Sequence, residues 1–318
     1  MLQEKKLLSI VIPVFNEEEV LPEALSRFVK LKDKMSDVVS VELIFVDDGS
    51  RDSSLNILKA AAKTDETIKV LSFSRNFGHQ IAITAGMDQA HGDFVAVIDA
   101  DLQDPPELIE DMYAVATSGY DVVYGKRKSR AGETLFKKAT ASAFYRMMSY
   151  LCDVDIPRDT GDFRVVSRRV VEAFRGLRER HRFVRGMIPW IGFSAVPFEY
   201  ERQERFAGET KYPLKKMLSF AANAIFSFSK KPLTLAIRLG VATIALGLLM
   251  AVYFLYMKLF TDTPVPGLTA ILVSIVFFSG VQIAFMGGLG EYIARIFEEA
   301  KGRPLYFVAE TINIKQAD

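Results

Sequence analysis

Charge almost vanishes from this chain between Leu239 and Gly290, where Lys258 and Asp262 are the only charged residues. Leu239 to Met257 is an uncharged apolar stretch, extended by Leu233 to Ile237 behind Arg238, and Thr263 to Gly290 is a second uncharged run. A hydrocarbon core of ~30 Å needs ~20 residues at helical rise, so each run is long enough to cross one. Lys215, Lys216, Lys230, Lys231 and Arg238 precede the first run, while Arg295, Lys301 and Arg303 follow the second. The preference of Lys and Arg for the cytoplasmic face then puts both termini in the cytoplasm and the short loop outside. Arg238 reads as snorkelling to the headgroups. A pair of long buried helices in a soluble protein is the alternative, and the matching basic flanks argue against it. Pro213–Ser229 interleaves Leu214, Met217, Leu218, Phe220, Ile225, Phe226 and Phe228 with lysines, which suits a helix in the interface plane. Gly240, Gly247, Gly280, Gly287, Gly288 and Gly290 could permit close helix packing, a hint of an oligomer.

Up to about Tyr212 the chain instead mixes charged and apolar residues. Short runs rich in Val, Ile and Phe predict strands at Leu7–Phe15, Val41–Asp47, Ile68–Phe73, Phe94–Asp99 and Asp121–Gly125. Predicted helices separate them, near Glu18–Met35, Ser53–Ala62, Gln80–Ala90 and Pro106–Thr117. This alternation implies an α/β fold with a mainly parallel sheet and helices on both faces. Ligands of such sheets bind outside the carboxyl ends of the strands. Polar clusters fall there: Asn16-Glu17, Asp47-Asp48-Gly49-Ser50, Ser74-Arg75-Asn76 and Asp99-Ala100-Asp101. Pro13-Val-Phe-Asn-Glu17 replaces the G-x-G-x-x-G of a dinucleotide-binding first turn, and no Walker A motif occurs, which disfavours oxidoreductases and P-loop enzymes. A net charge of +1, from 40 basic and 39 acidic residues, leaves no nucleic-acid footprint. Cys152 is the single cysteine, so no intrachain disulfide forms, a reducing compartment is allowed, and the thiol reads as buried and structural. No secretory signal opens the chain, because Leu7–Val14 is too short for a span.

Asp99-Ala-Asp101 ends an apolar run and precedes Leu-Gln103-Asp104-Pro-Pro106. Aspartates two apart can reach one ion, and the prolines after Asp104 favour a turn beginning there. Hard oxygen ligands suit Mg²⁺ or Mn²⁺, which bridge phosphate oxygens and offset the charge of a departing diphosphate, and Gln103 can add an oxygen. A solvated acidic loop is the plainer alternative. Asp48 can accept from a base N–H or a ribose hydroxyl, or form the turn in Asp-Asp-Gly-Ser. Arg75, Arg127, Lys137 and Lys138 can complement phosphates, although the two lysines also read as plain surface charges.

Five motifs occur in order: Val11-Ile-Pro-Val-Phe-Asn-Glu17, Val46-Asp-Asp-Gly-Ser50, Ser74-Arg-Asn-Phe-Gly78, Asp99-Ala-Asp-Leu-Gln-Asp-Pro-Pro106 and Thr160-Gly-Asp-Phe-Arg164. Together they resemble glycosyltransferase family 2, in its polyprenyl-phosphate branch. Arg205-Phe-Ala-Gly-Glu-Thr-Lys-Tyr212 is similar to that branch's mobile loop, and the two apolar runs to its membrane anchor. Within the branch the likeness is to bactoprenol glucosyltransferases, with dolichol-phosphate mannose synthases more distant. The resemblance implies a GT-A domain over residues 1–212, an interfacial segment over 213–231, a two-helix anchor over 232–292 and a cytoplasmic tail over 293–318. It implies a metal on Asp99, Asp101 and Gln103, and a nucleotide-sugar pocket from Pro13, Phe15, Glu17, Asp48 and Arg75. Gly208, Thr210 and Lys211 would close over the donor phosphates, and Arg127 and Lys138 would grip the acceptor phosphate. Asp162 falls where the family's proposed catalytic base lies, and Asp101 joins it in the chemistry. His79 stands where relatives often have lysine, and reads as a neutral structural histidine.

The reaction implied is inverting transfer of a hexose, glucose favoured, from a nucleotide-sugar, UDP-glucose favoured, to undecaprenyl phosphate. It would take place on the cytoplasmic face of the inner membrane, in a homo-oligomer that the resemblance makes a tetramer. Mannose or amino-arabinose transfer is the alternative. A phosphate monoester has its second pKa near ~6, so the acceptor is largely deprotonated at neutral pH. Asp162 then positions the acceptor or takes its last proton. A processive polysaccharide synthase would carry Q-x-x-R-W and more spans. A silent scaffold or sugar-lipid transporter would not need the acidic motifs.

Overall fold

The computed structural model describes residues 5–128, 157, 160–202, 229, 231–260 and 267–314. The first predicted alternation is present with shifted ends: β1 (Leu7–Val14), α1 (Leu21–Met35), β2 (Ser40–Asp47), α2 (Ser54–Thr64), β3 (Ile68–Phe73), α3 (His79–Gln89), β4 (Phe94–Val97), α4 (Leu108–Thr117) and β5 (Val122–Arg127). Then follow β6 (Thr160–Ser167), α5 (Arg168–Gly176), α6 (Val184–Ile191), β7 (Ala195–Tyr200), two long helices α7 (Lys231–Phe260) and α8 (Leu268–Ala300), and β8 (Val308–Ile312). All strands join one sheet in the order β7-β5-β6-β4-β1-β2-β3-β8.

Side chains of a strand alternate between faces, and here both faces are apolar and covered. Leu8, Ile10, Ile12 and Val14 of β1, with Leu43 and Phe45 of β2, pack with Phe28, Leu31, Leu58 and Met112. Val11, Ile44 and Val46 pack on the other face with Ala82, Ile83, Val170 and Val184. Two-sided burial is why β1 and β2 read as unbroken apolar runs. Gly86 of α3 lies so close to Val11 that a Cβ there would collide with it.

β1, β2, β3 and β4 are parallel, and β5 is parallel to β7, whereas β6 runs antiparallel to β4 and β5, and β8 antiparallel to β3. Two consequences position the site. From β1 the chain goes to β2 and β3 on one side and returns to β4 on the other, so a crevice opens between the ends of β1 and β4. Because β6 is reversed, its beginning, not its end, lies at that same edge. The register pairs Val97 with Arg164, so two residues further on Asp99 comes level with Asp162.

The stretch expected to be a cytoplasmic tail is built into the fold. α8 runs to Ala300, Gly302 turns the chain at φ 57°, and β8 closes the sheet edge on β3. Tyr306 stacks on Phe73 with centroids 5.0 Å apart, and Asn313 donates to the Ala62 and Ile68 carbonyls at 2.7 and 2.9 Å. The Arg180 backbone N–H donates to Glu299 at 2.6 Å, tying the end of α8 to the loop before α6.

Helices of 30 and 33 residues extend about 45 and 50 Å at 1.5 Å per residue. Among the described residues no helix is long and apolar enough to cross a membrane. The interfacial segment over 213–231 falls almost wholly outside the described residues.

Candidate active site

The polar strand ends meet at one edge of the sheet, each held by its neighbours. Val11 O accepts from the Ile98 N–H on the β4 side, and residues two apart face the same way. Pro13 therefore turns its missing N–H toward the space past the end of β4, where no ladder continues. Asn16 takes φ 54°, and its N–H donates to Ser50 Oγ at 3.0 Å while its Oδ1 accepts from the Arg51 N–H at 2.9 Å. The Glu17 N–H donates to Ser54 Oγ at 2.9 Å. These bonds lock the loops after β1 and β2 together and leave Phe15 exposed at the rim.

Asp48 is buried, and its carboxylate accepts from the Phe77 N–H at 2.6 Å, the Gly78 N–H at 2.9 Å and Asn76 Nδ2 at 2.9 Å. Burial pushes its pKa up, partly offset by these backbone donors. Its visible job is to hold the loop after β3. Gly49, at φ 68°, is needed beneath that loop, since a Cβ would stand 2.5 Å from the Arg75 carbonyl carbon. Arg75 is exposed, its guanidinium 4.0 Å from the Phe77 ring centroid.

Past β4 the chain leaves the extended path and turns just after Asp101. Leu102 has φ 58°, and Asp101 accepts from the Gln103 N–H at 3.1 Å. Asp99 Oδ1 is buried without a hydrogen-bond partner. Burial raises the Asp99 pKa, and the charges of Asp162, Asp101 and Asp104 raise it further, against the His79 charge. Among the described residues no three carboxylate, imidazole or thiolate groups are gathered to hold a metal by themselves. Two aspartates with one unsatisfied buried oxygen, beside the half-buried Gln103, fit a hard cation that takes its other ligands from substrate oxygens and water.

On the neighbouring strand β6 the carboxylate is fully engaged. Asp162 accepts Arg185 Nε at 3.1 Å and Nη2 at 2.9 Å in a forked pair, with His79 Nε2 at 3.2 Å and Gln80 Nε2 at 3.4 Å. Arg164, buried below, donates to the Asp162 and Gly161 carbonyls at 3.1 and 3.0 Å. Burial favours protonating Asp162, but the Arg185 charge and the bonds from His79 and Arg185 override it and hold the carboxyl far below the usual range. So held, it is a very weak base.

His79 is not the neutral residue that its sequence context suggests. Desolvation opposes its charge, yet Asp99 at 3.5 Å and Asp162 at 3.2 Å lift its pKa to about 9. It is an imidazolium at neutral pH.

Asp104 takes a parallel part. It is buried, and accepts Tyr200 OH at 2.5 Å and Arg127 Nη2 at 3.3 Å, while Arg127 Nε donates to Tyr200 OH at 3.3 Å. A Cβ on Gly161 would stand 2.6 Å from Arg127 Nη2, so the guanidinium lies directly over this glycine.

Pro13, Phe15, Glu17, Asp48, Arg75, Asp99, Asp101, Gln103, Arg127 and Asp162 thus share one edge of the sheet. Lys137, Lys138, Gly208, Thr210 and Lys211 lie outside the described residues. Sequence reasoning missed Arg185, Arg164, Asp104 and Tyr200. Arg164 and Asp104 lie inside quoted motifs, but Arg185 sits in the arginine-dense stretch Arg180-His-Arg-Phe-Val-Arg-Gly186, where nothing local marks one arginine.

Residues 9–175 match the model of glycosyl transferase family 2. The chain is 50% identical over 307 residues to an uncharacterized glycosyltransferase, YkcC, of Bacillus subtilis (strain 168), covering 96% of this chain and 94% of that one. It is 39% identical over 307 residues to the SfII prophage-derived bactoprenol glucosyl transferase of Shigella flexneri, covering 96% of this chain and 98% of that one. Glucosyl-3-phosphoglycerate synthase from Mycobacterium tuberculosis, solved with Mn²⁺, UDP and phosphoglyceric acid, aligns over 70% of this chain and 76% of its own, at 17% identity and TM-score 0.45.

Proposed function

The chain belongs to glycosyltransferase family 2, and on that premise we propose that it transfers a hexosyl group, glucose favoured, from a nucleoside diphosphate sugar to a polyprenyl phosphate. The observation that carries this reading is the pairing, at one sheet edge, of an acidic pair with an unsatisfied buried oxygen and an arginine-lined wall beside it. The first suits a cation with its diphosphate and the second suits a phosphate. The relative named a bactoprenol glucosyl transferase supports the lipid acceptor and the sugar.

Asp99, Asp101 and Gln103 would hold Mg²⁺ or Mn²⁺. Such a cation supplies charge stabilisation to the departing diphosphate. Phe15, exposed at the rim, offers a face to the base, with Pro13 and Glu17 beside it. Asp48 acts chiefly by fixing the loop that presents Arg75. Arg127, held by Asp104 and Tyr200, faces the acceptor phosphate, with Lys138 as its proposed companion. Gly208, Thr210 and Lys211 are proposed to close over the donor. An acceptor phosphate oxygen attacks the anomeric carbon as the bond to the diphosphate breaks, inverting that centre. The attacking oxygen is already largely deprotonated at neutral pH, because the monoester's second pKa is near ~6. No strong base is required, in keeping with the tightly held Asp162.

A polyprenyl phosphate keeps its headgroup at the bilayer surface, so the catalytic domain must work there. We assign that attachment to α7 and α8. They contain the uncharged stretch 239–257 and residues 268–290 of the second run, and present exposed apolar side chains such as Leu248, Val252 and Ile283. Each exceeds the ~20 residues that a span needs, and the basic flanks put both termini in the cytoplasm.

The test is transfer in detergent to undecaprenyl phosphate with Mg²⁺ or Mn²⁺, offering labelled UDP-glucose, UDP-galactose and GDP-mannose separately. Metal-dependent label in the organic phase from one donor, absent from Asp101→Ala, is expected and identifies the sugar. No lipid label from any donor, in a protein that binds none of them with metal, would sink the reading.

A further inference from the structure

Asp104 and Asp162 gather four guanidinium groups: Arg127 and Arg202 at 3.3 and 3.4 Å from Asp104, and Arg185 and Arg164 at 2.9 and 3.8 Å from Asp162. Exposure separates them, because Arg164 is 5% exposed whereas Arg127 and Arg185 keep 27% and 30% of their side-chain surface.

Arg185 is fixed from both ends. Gln80 Oε1 accepts from the Val184 N–H at 2.8 Å, pinning the start of α6, while the same glutamine's Nε2 reaches Asp162. The guanidinium is forked onto a carboxylate whose own backbone carbonyl accepts from Arg164. Arg127 approaches the same Gly161-Asp162 step from β5, over the face that Gly161 leaves open. Two preset guanidinium groups thus flank one dipeptide on the strand next to the one that ends in Asp99 and Asp101. Planar, forked donors of this kind suit phosphate better than a flexible ammonium does.

We propose that Arg185 is a further acceptor-phosphate ligand beside Arg127, and that Asp162 is the positioning residue that aims it rather than the base of the reaction. This assignment rests on the proposed transfer to a polyprenyl phosphate. Removing Asp162 should therefore harm the enzyme chiefly through Arg185, and the two residues should not behave as independent contributors.

The test uses the full chain in detergent and measures KM for undecaprenyl phosphate, KM for the active donor, kcat, and Kd for the nucleotide with metal. Arg185→Gln should raise the acceptor KM by about 10-fold or more, the loss expected for a charge-assisted hydrogen bond, with nucleotide Kd and donor KM within about 2-fold. Arg185→Lys should recover part of the loss. The double variant Asp162→Asn with Arg185→Gln should be little worse than the poorer single variant, as expected of coupled residues. A rise in donor KM instead would give Arg185 to the diphosphate and overturn the assignment. So would an unchanged acceptor KM, or strictly multiplicative losses in the double variant. Should Arg185→Gln lose nucleotide binding through misfolding, Arg185→Lys decides, because it keeps a cation against Asp162. Wild-type protein that binds nucleotide yet neither binds nor glycosylates the lipid phosphate would refute the proposed function itself. Normal wild-type transfer with an insensitive Arg185 would refute only this assignment.

Discussion

Asp99 past the end of β4, on the acidic wall of the site, and Asp162 near the start of β6, on its arginine-lined wall, are the same residue type, level with each other on neighbouring strands, with opposite electrostatics. Asp99 has an oxygen with no hydrogen-bond partner and a pKa pushed up by burial and by neighbouring carboxylates. Asp162 is at least as buried, yet Arg185 and His79 outweigh that burial and keep it ionised. Burial alone therefore says nothing about role. What separates the two is how much counter-charge the fold supplies: Asp162 has the forked Arg185 as well as His79, whereas Asp99 has His79 at 3.5 Å. A carboxylate short of partners calls for a cation, and a carboxylate with several is itself a device for holding cations still.

The largest effect should come from the wall that is short of partners. Asp101→Ala or Asp99→Asn is expected to lower transfer by about 1,000-fold or more, because electrostatic support of the leaving group is lost. Neither change should lower thermal stability in the absence of metal, and Asp99→Asn should hold or raise Tm by removing a poorly compensated buried charge. Mn²⁺ should raise the Tm of the wild type and not that of Asp101→Ala. A drop in metal-free Tm for Asp99→Asn would erase the distinction between the walls.

The other wall should respond in stability as well as activity. Asp162→Asn leaves Arg185 and the buried Arg164 without their carboxylate, and breaking such a buried pair costs about 3–5 kcal/mol. A clear fall in Tm, with nucleotide and metal binding kept in the folded fraction, is expected. Equal stability of Asp162→Asn and Asp99→Asn would make the contrast meaningless.

Only one of these walls was legible in the sequence. Asp99 and Asp101 end a run that reads as apolar, and the turn after them, realised at Leu102, is foreshadowed by the prolines that follow Asp104. The alternation up to β5 was equally plain, because two-sided burial leaves unbroken apolar runs. The arginine wall depends on pairings that no local pattern encodes. Arg185 meets Asp162 only because β6 runs antiparallel and α6 folds back over its start, 23 residues later. The same distance effect hid the charge on His79, whose two aspartates come from β4's end and β6's start. β8 is five residues, Val308-Ala-Glu-Thr-Ile312, with no alternation of apolar and polar positions, and after two long helices it gives no hint of returning to β3.

A smaller effect should follow from crowding the arginine wall without removing charge. Gly161→Ala would put a methyl group 2.6 Å from Arg127 Nη2, the far end of a flexible side chain that can swing aside. The fold should survive, since its clash is with that guanidinium. The acceptor KM should rise a few-fold while the donor KM stays put. A donor effect of equal size would mean that the wall is shared between both substrates.

The smallest effect tests whether arginine pairing alone, away from the crevice, produces the second kind of aspartate. Asp121 before β5 is buried and accepts from Arg169, from Ser167 Oγ at 2.9 Å and from Ser194 Oγ at 2.6 Å. The Arg169 hydrogen bonds lead in lowering its pKa to about 2, against the effect of burial. A carboxyl depressed in the folded state binds fewer protons there than when unfolded. Its contribution is therefore present above about pH 4 and lost as pH falls toward 2. Arg169 is 61% exposed, so solvent screens the pair. The wild type should thus lose stability between pH 4.5 and pH 3 slightly faster than Asp121→Asn, by about 3 °C in Tm at most. Transfer at pH 7 should be unaffected, because Asp121 lies outside the crevice. A steeper acid loss in Asp121→Asn than in the wild type would reverse the sign and show that pairing with arginine does not by itself hold an aspartate ionised in this fold.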